Sequence, residues 1–317
     1  HGLSHKVIDD ISRTPTSYRT LIQKTFILRS ALRSRLKNDF IGILLPTFTP
    51  TLINVFSIQT LGKTPVLLNF THGAKNLLEC CHTTNTSEII TSRKFIAVLQ
   101  IESIIDALKS NNIDIIYLED IKDNLSGASM AIGYLAGYFP ALYRHYIIPE
   151  IDCNSPAVIL FTSGSEGQAK GVALSHSNIT ANITQLNSVL DLNRDDKIFN
   201  ALPLFHSFGL VGALLPLLSG VQVFLYPRAL HYRLIAELIY ETNSTILFGT
   251  DYILNLYAQH ANSYDFYSLR YVFAGAEKLQ QHTAQLWFEK FGIRILEGYG
   301  LTEASPGVSF NTPMHNK

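Results

Sequence analysis

Segments with helical spacing alternate with short apolar segments along this chain, and this alternation limits the possible folds more than any other feature. Large apolar residues recur at near-helical spacing over 21–32, and an apolar, β-branched segment follows at 40–45. A helix is expected over 52–61 and a strand over 65–68 by the same pattern. Helices that alternate with buried strands predict an α/β fold with mostly parallel sheets flanked by helices.

The alternation continues through the rest of the chain. Two further strands are predicted on either side of a helical segment over 95–108, and three more, each ending at glycine, lie in the last third of the chain: 87–92, 114–118, 245–249, 269–275 and 293–298. A helix over 280–291 carries the single tryptophan, Trp287, which is expected in the core. Ligands of parallel sheets bind beyond the carboxyl ends of strands, so the strand-end loops are the expected site.

Composition excludes several classes of protein. The chain has 317 residues with 47% hydrophobic and 16% charged residues, which indicates a globular protein. Lys plus Arg equals Asp plus Glu at 25 each, so nucleic acid is not an expected partner. The three cysteines lack metal-ligand spacing and favour a reducing compartment. Segment 201–227 has no formal charge, but its prolines and glycines favour a loop, a buried helix and a strand over a membrane span.

A loop rich in glycine and hydroxyl residues follows the apolar run 156–161. Glycines let a backbone approach a polyanion closely, and hydroxyls and a lysine supply donors and charge, so the loop predicts phosphate binding. The candidate residues are Thr162, Ser163, Gly164, Ser165, Gly167 and Lys170. An ordinary Gly/Ser loop is the alternative.

Two better-known motifs do not fit this loop. A Walker loop needs Gly-Lys-Ser/Thr, but Ala169 precedes the lysine and Gly171 follows it. The Gly-x-Ser-x-Gly elbow of hydrolases fails because Ser163 stands at the position of its first glycine.

Three other clusters accompany the loop: Leu202 to Gly209 with His206 inside it, Gly275-Ala276-Glu277, and Gly298-Tyr299-Gly300-Leu301-Thr302-Glu303. In order and spacing, the four motifs resemble the adenylate-forming superfamily of acyl-CoA synthetases, adenylation domains and luciferases. The resemblance covers nearly the whole chain. It implies the two-lobed N-terminal part of an adenylation domain, of the acetyl-CoA synthetase type, with lobes of about 1–200 and 201–317.

Within the superfamily, several segments look most like the synthetase half of the bifunctional 2-acylglycerophosphoethanolamine acyltransferase/acyl-acyl carrier protein synthetases. They include 161–167, 201–210, 230–233, 247–250, 270–279 and 294–300. This resemblance implies ATP-dependent activation of a long-chain fatty acid as acyl-AMP, then transfer to the phosphopantetheine thiol of acyl carrier protein. Lysophospholipid would be a partner through an acyltransferase domain that this chain does not contain. The chain itself is expected to be soluble, and the whole protein to act at the cytoplasmic face of the inner membrane.

The resemblance also implies roles for individual residues. The loop with Lys170 would bind the β- and γ-phosphates of ATP. Gly275, Ala276 and Glu277 would edge the adenine, and Tyr299, between Gly298 and Gly300, would stack on it. Thr302 would hydrogen-bond the α-phosphate, Glu303 would hold Mg²⁺, and His206 would lie near the reacting carboxylate.

Simpler interpretations stay open for four of these residues. Lys170 and Glu303 fit solvated surface charges, Tyr299 fits core packing, and His206 fits a satisfied core histidine. Whole-chain alternatives are an acyl-CoA synthetase or acyl-AMP ligase of the same superfamily, and a non-catalytic binding scaffold.

Two features depart from the family pattern. Glu166 and Ala169 stand where the common loop has threonine and proline, and a carboxylate beside a triphosphate is repulsive unless it faces Mg²⁺ or solvent. Only 14 residues follow Glu303. The ribose-binding aspartate motif, the hinge and the small C-terminal domain with its catalytic lysine are therefore expected to be absent, and the chain alone to be catalytically incomplete.

Overall fold

The computed structural model describes residues 2–163 and 169–313 of the chain. Backbone contacts divide these residues into two compact units. The N-terminal unit comprises Gly2–His5 and Ser17–Ser177, and the C-terminal unit comprises Lys6–Thr16 and the residues from Asn178 onward.

Strands and helices alternate in the order that the sequence predicts. The strands are β1 (Lys6–Asp10), β2 (Thr16–Ser17), β3 (Phe40–Ile43), β4 (Thr64–Leu67), β5 (Glu88–Thr91), β6 (Asp114–Tyr117), β7 (Pro156–Ser163), β8 (Ala169–Ser175), β9 (Lys197–Asn200), β10 (Gln222–Leu225), β11 (Ile246–Gly249), β12 (Tyr271–Ala274), β13 (Ile295–Gly300) and β14 (Gly307–Phe310). The helices are α1 (Tyr18–Leu32), α2 (Thr49–Gln59), α3 (Ala74–Thr83), α4 (Arg93–Leu99), α5 (Glu102–Ser110), α6 (Leu118–Asp123), α7 (Gly127–Tyr138), α8 (Pro140–Tyr146), α9 (His176–Val189), α10 (Ser207–Ser219), α11 (Tyr232–Thr242), α12 (Asp251–His260) and α13 (Gln281–Phe291).

The N-terminal unit is built on a six-stranded sheet with the order β6-β5-β3-β4-β7-β8. Its pairs are parallel except for β7 and β8, which form an antiparallel hairpin. The inner strands β4 and β5 are short and wholly buried, as expected for strands that are covered on both faces. Apolar side chains of α3, α4 and α5 pack on this sheet in one core cluster.

Three local features between residues 93 and 189 differ from the sequence-based expectations. The helix expected over 95–108 is two helices, α4 and α5, separated at Gln100, which adopts a left-handed conformation (φ 56°). Helix α9 begins at His176, earlier than the start at Asn178 that the apolar pattern suggests. Strand β8 was not predicted, because Lys170 to Ala173 follows a glycine-rich loop and lacks a clear apolar alternation.

The C-terminal unit is built on an eight-stranded sheet with the order β14-β13-β12-β11-β9-β10-β1-β2. In this sheet order, each neighbouring pair from β13 to β1 is parallel. Strand β14 runs antiparallel to β13. Trp287 is fully buried as predicted, stacks on Phe266 and donates to the carbonyl of Leu254 at 2.9 Å. The mixed α/β architecture with mostly parallel sheets is thus confirmed.

The unit boundary reflects strand pairing rather than position in the chain. Strand β1 pairs in parallel with β10, so Ile8 lies opposite Val223, and Val7 and Ile8 are completely buried. The family resemblance implies lobes that divide at about residue 200. The contacts place the division at residues 177 and 178 and assign Lys6–Thr16 to the C-terminal unit.

The uncharged segment 201–227 forms a loop, the buried helix α10 and strand β10, as the sequence predicts. Helix α10 is apolar on all sides, and nine of its residues are buried within the protein. In the described part of the chain, no helix is both long and apolar enough to cross a bilayer.

Candidate functional site

A cavity of about 70 Å³ lies in the C-terminal unit, between the first turn of α10 and the carboxyl ends of β12 and β13. Three of the predicted motifs meet there because parallel strands present their carboxyl ends at one edge of the sheet. The lining residues are Ser207, Phe208, Val211, Phe273, Ala274, Gly275, Ala276, Gly298, Tyr299, Gly300, Pro306, Gly307 and Phe310.

Residues Gly275 and Ala276 form one wall of the cavity, directly after β12. A Cβ on Gly275 would approach the Phe208 ring at 3.1 Å, so the backbone lies close to that ring. Ala276 has φ +68°, a left-handed conformation that costs free energy for any residue except glycine. Glu277 is exposed, and its Oε1 accepts from the backbone N–H of Tyr252 at 2.9 Å, in the first turn of α12. Its carboxylate therefore contacts a helix N-terminus and does not line the cavity.

Strand β13, the neighbour of β12 in the sheet, also lines the cavity through Gly298, Tyr299 and Gly300. The Tyr299 side chain is 58% exposed, so it does not pack in the core. Glycine is required at position 300, because a Cβ there would lie 2.5 Å from the carbonyl oxygen of Pro306. Tyr299 thus lines the cavity with a side chain that is largely open to solvent.

A short 3₁₀ turn, Thr302–Ala304, follows β13 and carries Thr302 and Glu303. The Thr302 hydroxyl is 3.1 Å from the hydroxyl of Ser207, the first residue of α10. The first-turn N–H groups of a helix carry partial positive charge, so two hydroxyls beside them suit an anionic oxygen. Glu303 is exposed on the same turn and does not line the cavity.

His206 is the N-cap residue of α10 and is exposed. Its ring contacts the ring of Phe205 with 4.8 Å between centroids, and its side chain does not cap the helix. The interpretation of His206 as a core histidine is therefore wrong. The residue adjoins Ser207 in the chain, at the same end of α10 as the Thr302 hydroxyl.

Two buried asparagines, which sequence reasoning missed, hold the cavity in shape. Asn200 donates to the carbonyl of Gly209 at 2.8 Å and accepts from the N–H of Leu202 at 3.1 Å, so it ties the loop before α10 to the helix. Asn182 of α9 donates to the carbonyl of Gly307 at 2.8 Å and accepts from its N–H at 3.1 Å. The sequence did contain a signal for Asn182, because it lies on the same apolar face of α9 as Ile183 and Leu186.

The phosphate-loop candidates belong to the N-terminal unit, where β7 and β8 flank the loop. Thr162 lies opposite Lys170 in the hairpin register, and cross-strand partners share a face of the sheet. Lys170 is exposed. Gly164, Ser165 and Gly167 lie outside the described residues, and so does the side chain of Ser163.

The two buried cysteines do not offer a reactive thiolate. Burial raises the pKa of the Cys80 thiol to about 11 and of the Cys81 thiol to about 12, so both stay protonated near neutral pH. Among residues 2–163 and 169–313, no three His, Cys, Asp or Glu side chains cluster as a metal site would require.

The model of one protein family, described as AMP-binding enzyme, matches residues 5–317. Among curated proteins, a long-chain-fatty-acid–CoA ligase of Haemophilus influenzae is 25% identical over 335 residues, covering 95% of this chain and 59% of the ligase. A protein of the same description from Escherichia coli is 26% identical, covering 87% of the chain and 53% of that ligase. The chain thus spans little more than half the length of these relatives.

Solved structures show the same fold. A benzoate CoA ligase of Burkholderia xenovorans matches with a TM-score of 0.83 at 18% identity, covering 99% of this chain and 61% of the ligase chain. ATP-bound MatB of Rhodopseudomonas palustris matches with a TM-score of 0.80 at 21% identity, covering 97% of this chain and 59% of MatB.

Proposed function

The chain belongs to the family of AMP-binding enzymes, and on this premise we propose that it activates a long-chain fatty acid by joining the carboxylate to the AMP portion of ATP. A carboxylate oxygen attacks the α-phosphorus, which gives acyl-AMP and releases pyrophosphate. A thiol then attacks the acyl carbon and releases AMP. Both reactants of the first step are anions, so catalysis depends mainly on alignment and on donors placed where negative charge develops.

The meeting of three strand-end and helix-end motifs at one cavity is the observation that carries this proposal. Gly275, Ala276 and Tyr299 line the cavity, and the exposed aromatic ring of Tyr299 suits the flat adenine. At the first turn of α10, the Ser207 and Thr302 hydroxyls stand 3.1 Å apart and suit an α-phosphate oxygen. His206, the residue before that turn, is proposed to lie near the reacting carboxylate.

The loop between β7 and β8 is proposed to bind the β- and γ-phosphates. Thr162 and Lys170 stand opposite each other where the hairpin enters and leaves the loop, so a hydroxyl and an ammonium flank it. Gly164, Ser165 and Gly167, with Ser163, are proposed to present backbone and hydroxyl donors within it.

The fit of Mg²⁺ follows from the chemistry of the available donors. Glu303 is an exposed carboxylate one residue from Thr302, and Mg²⁺ commonly binds one or two carboxylates together with substrate phosphates and water. Since the described residues hold no cluster of three metal ligands, a site shared with ATP suits this chain better than a closed protein site. When bound, the ion neutralises phosphate charge, and Glu303 is proposed to hold it.

The acceptor thiol distinguishes two versions of the function. The motif resemblance supports acyl carrier protein, with the whole protein also passing the acyl group to a lysophospholipid at the cytoplasmic face of the inner membrane. The names of the Haemophilus and Escherichia relatives support coenzyme A. The two versions are distinguished by incubating the full-length protein with ATP and radiolabelled palmitate, together with either acyl carrier protein or coenzyme A. We expect acyl-acyl carrier protein as the main product.

Fatty-acid-dependent exchange of pyrophosphate into ATP tests the first step. We expect exchange with palmitate by the full-length protein, and a loss of at least about tenfold in Lys170→Ala, because the phosphates lose a cationic partner. Lys94→Ala is the matched control, since Lys94 is also an exposed lysine of the N-terminal unit. Exchange with short acids only, or an undiminished Lys170→Ala variant, contradicts the assignment.

A further inference from the structure

Helix α7 in the N-terminal unit has its small residues inside and its large apolar residues outside. Its buried positions are Ser129, Gly133, Ala136 and Gly137, whereas all of its large apolar side chains are exposed. A surface helix of a globular protein normally has the opposite pattern, with large apolar residues toward the core. The inversion means that packing within the unit does not account for the apolar side chains of α7.

The small residues let α7 lie directly on α1. A Cβ on Gly133 would come within 2.7 Å of the carbonyl oxygen of Gln23, and one on Gly137 within 2.9 Å of the Gln23 side-chain amide. The Ser30 and Ser129 hydroxyls are 3.1 Å apart across the same contact. The orientation of α7 is therefore determined by close backbone packing, which keeps its large side chains pointing outward.

Helix α8 extends the exposed apolar surface. It has no buried residue and is anchored to α1 by an edge-to-face contact of Tyr143 with Phe26 at 5.2 Å. Nine large apolar side chains between Met130 and Ile147 are at least 36% exposed, including Tyr134, Leu135, Phe139, Leu142 and Tyr146. Among the described residues of the N-terminal unit, only one other large apolar side chain, Val98, is comparably exposed. We call these nine side chains the α7–α8 face.

The charged side chains of segment 124–149, which carries the α7–α8 face, have one sign. No Asp or Glu occurs from Asn124 to Pro149, although the chain contains 25 of them. Arg144 lies within the segment, and the Arg19 guanidinium stacks on the ring of Tyr138 at 4.8 Å. Exposed aromatic rings, aliphatic side chains and cations without carboxylates complement an anionic lipid surface.

The length of the helices determines whether they could span a bilayer or only lie on its surface. Helix α7 has 12 residues and so spans about 18 Å, whereas a bilayer core needs about 20 helical residues. We propose that the α7–α8 face binds the surface of an anionic lipid bilayer, with the two helices lying in the headgroup region. This inference depends on the exposed side chains alone and not on the proposed reaction.

Co-sedimentation of the full-length protein with vesicles tests the proposal. We expect binding to vesicles of phosphatidylglycerol and phosphatidylcholine that weakens as salt is raised, and a partition coefficient at least about tenfold lower for Leu135→Gln combined with Leu142→Gln. Arg144→Gln is expected to lower binding to the anionic vesicles about fivefold and to leave binding to pure phosphatidylcholine unchanged.

The control is Leu218→Gln combined with Leu230→Gln, two leucines of similar exposure in the C-terminal unit. This variant is expected to bind like the wild type, and pyrophosphate exchange with dispersed palmitate to be the same in both double variants. Equal vesicle binding by all variants overturns the proposal. So does loss of self-association, rather than of vesicle binding, in the Leu135/Leu142 variant, since the face would then join two copies. Binding by this chain but not by the full-length protein also overturns it, because another part of the protein would cover the face.

Discussion

Individual polar side chains position the candidate site from outside it. The Asn182 side chain donates to the carbonyl of Gly307 and accepts from its N–H, which is how a neighbouring strand would pair with it. These two hydrogen bonds fix one wall of the cavity. Asn200 does the same for the loop before α10. A buried amide that is deprived of such partners costs about 1–3 kcal/mol, so these residues stabilise one local geometry.

Asp196 is a further buried polar residue that stabilises the C-terminal unit. It is 2% exposed and accepts two hydrogen bonds from Arg270, at 2.6 and 2.7 Å, one from Thr245 and one from the N–H of Asn193. Burial alone would raise the pKa of Asp196, but these hydrogen bonds lower it below its ordinary value of 3.8. The ionised carboxylate therefore ties β11 and β12 to the start of β9.

We expect Asp196→Ala to lower the free energy of unfolding by about 3 kcal/mol, because Arg270 and Thr245 lose their buried partner. Since the folded-state pKa is depressed, the stabilisation is fully present above the ordinary pKa of aspartate. It is lost as the pH falls through the lowered value, so the difference between wild type and variant shrinks in acid. Urea unfolding across this pH range measures it. Asp195→Ala, at an exposed neighbour, is the control, and a constant difference at all pH values contradicts the account.

At the scale of elements, small residues decide how helices pack in this protein. Helix α7 approaches α1 through glycines, and α10 approaches the preceding loop through Gly209, where a Cβ would collide with the carbonyl of Pro203. Such contacts are invisible to hydrophobic periodicity, because the residues that make them carry little or no side chain.

We expect Gly133→Val to lower the free energy of unfolding of the N-terminal unit by about 2–3 kcal/mol, because α7 must move away from the Gln23 carbonyl. Ala131→Val is the matched control, as Ala131 is exposed on the same helix. Denaturant unfolding followed by circular dichroism measures both. Equal stability of the two variants would show that α7 does not pack on α1 as described.

At the scale of the whole molecule, the chain crosses between its units twice near the N-terminus. Gly2–His5 belongs to the N-terminal unit, Lys6–Thr16 to the C-terminal unit, and the chain returns at Ser17. Strand β1 pairs with β10 through Ile8, Asp9 and Asp10, and the side chains of Val7 and Ile8 are fully buried. Residues near the start of the chain therefore stabilise a sheet whose remaining strands, apart from β2, lie after Asp196.

We expect deletion of residues 2–16 to reduce amide protection in β10 at least about tenfold, because β10 becomes an edge strand, and to leave β5 protected. Hydrogen exchange followed by mass spectrometry separates the two strands. Ile11→Ser, at a residue that is 49% exposed, is the control and should change neither. Loss of protection in β5 alone would contradict the assignment of β1 to the C-terminal unit.

Local patterns in the sequence are enough to predict the fold class and most of the strand-end motifs. Apolar periodicity is a local property, so α1, α10, β12 and β13 could be located from a few neighbouring residues. Gly275, Tyr299 and Thr302 could be assigned to one edge of a sheet because parallel strands end together. The roles of Lys170, His206 and Glu303 in ATP chemistry stay predictions until exchange is measured.

Features that depend on residues far apart in the chain are visible only once the chain is folded. The pairing of β1 with β10 and the hydrogen bond from Asn182 to Gly307 join residues that are more than a hundred positions apart in the chain. The outward orientation of large side chains on α7 likewise depends on contacts with α1. A local pattern shows that a residue is apolar or polar, but its partner is set by the packing of whole elements, where burial and hydrogen bonding are satisfied together.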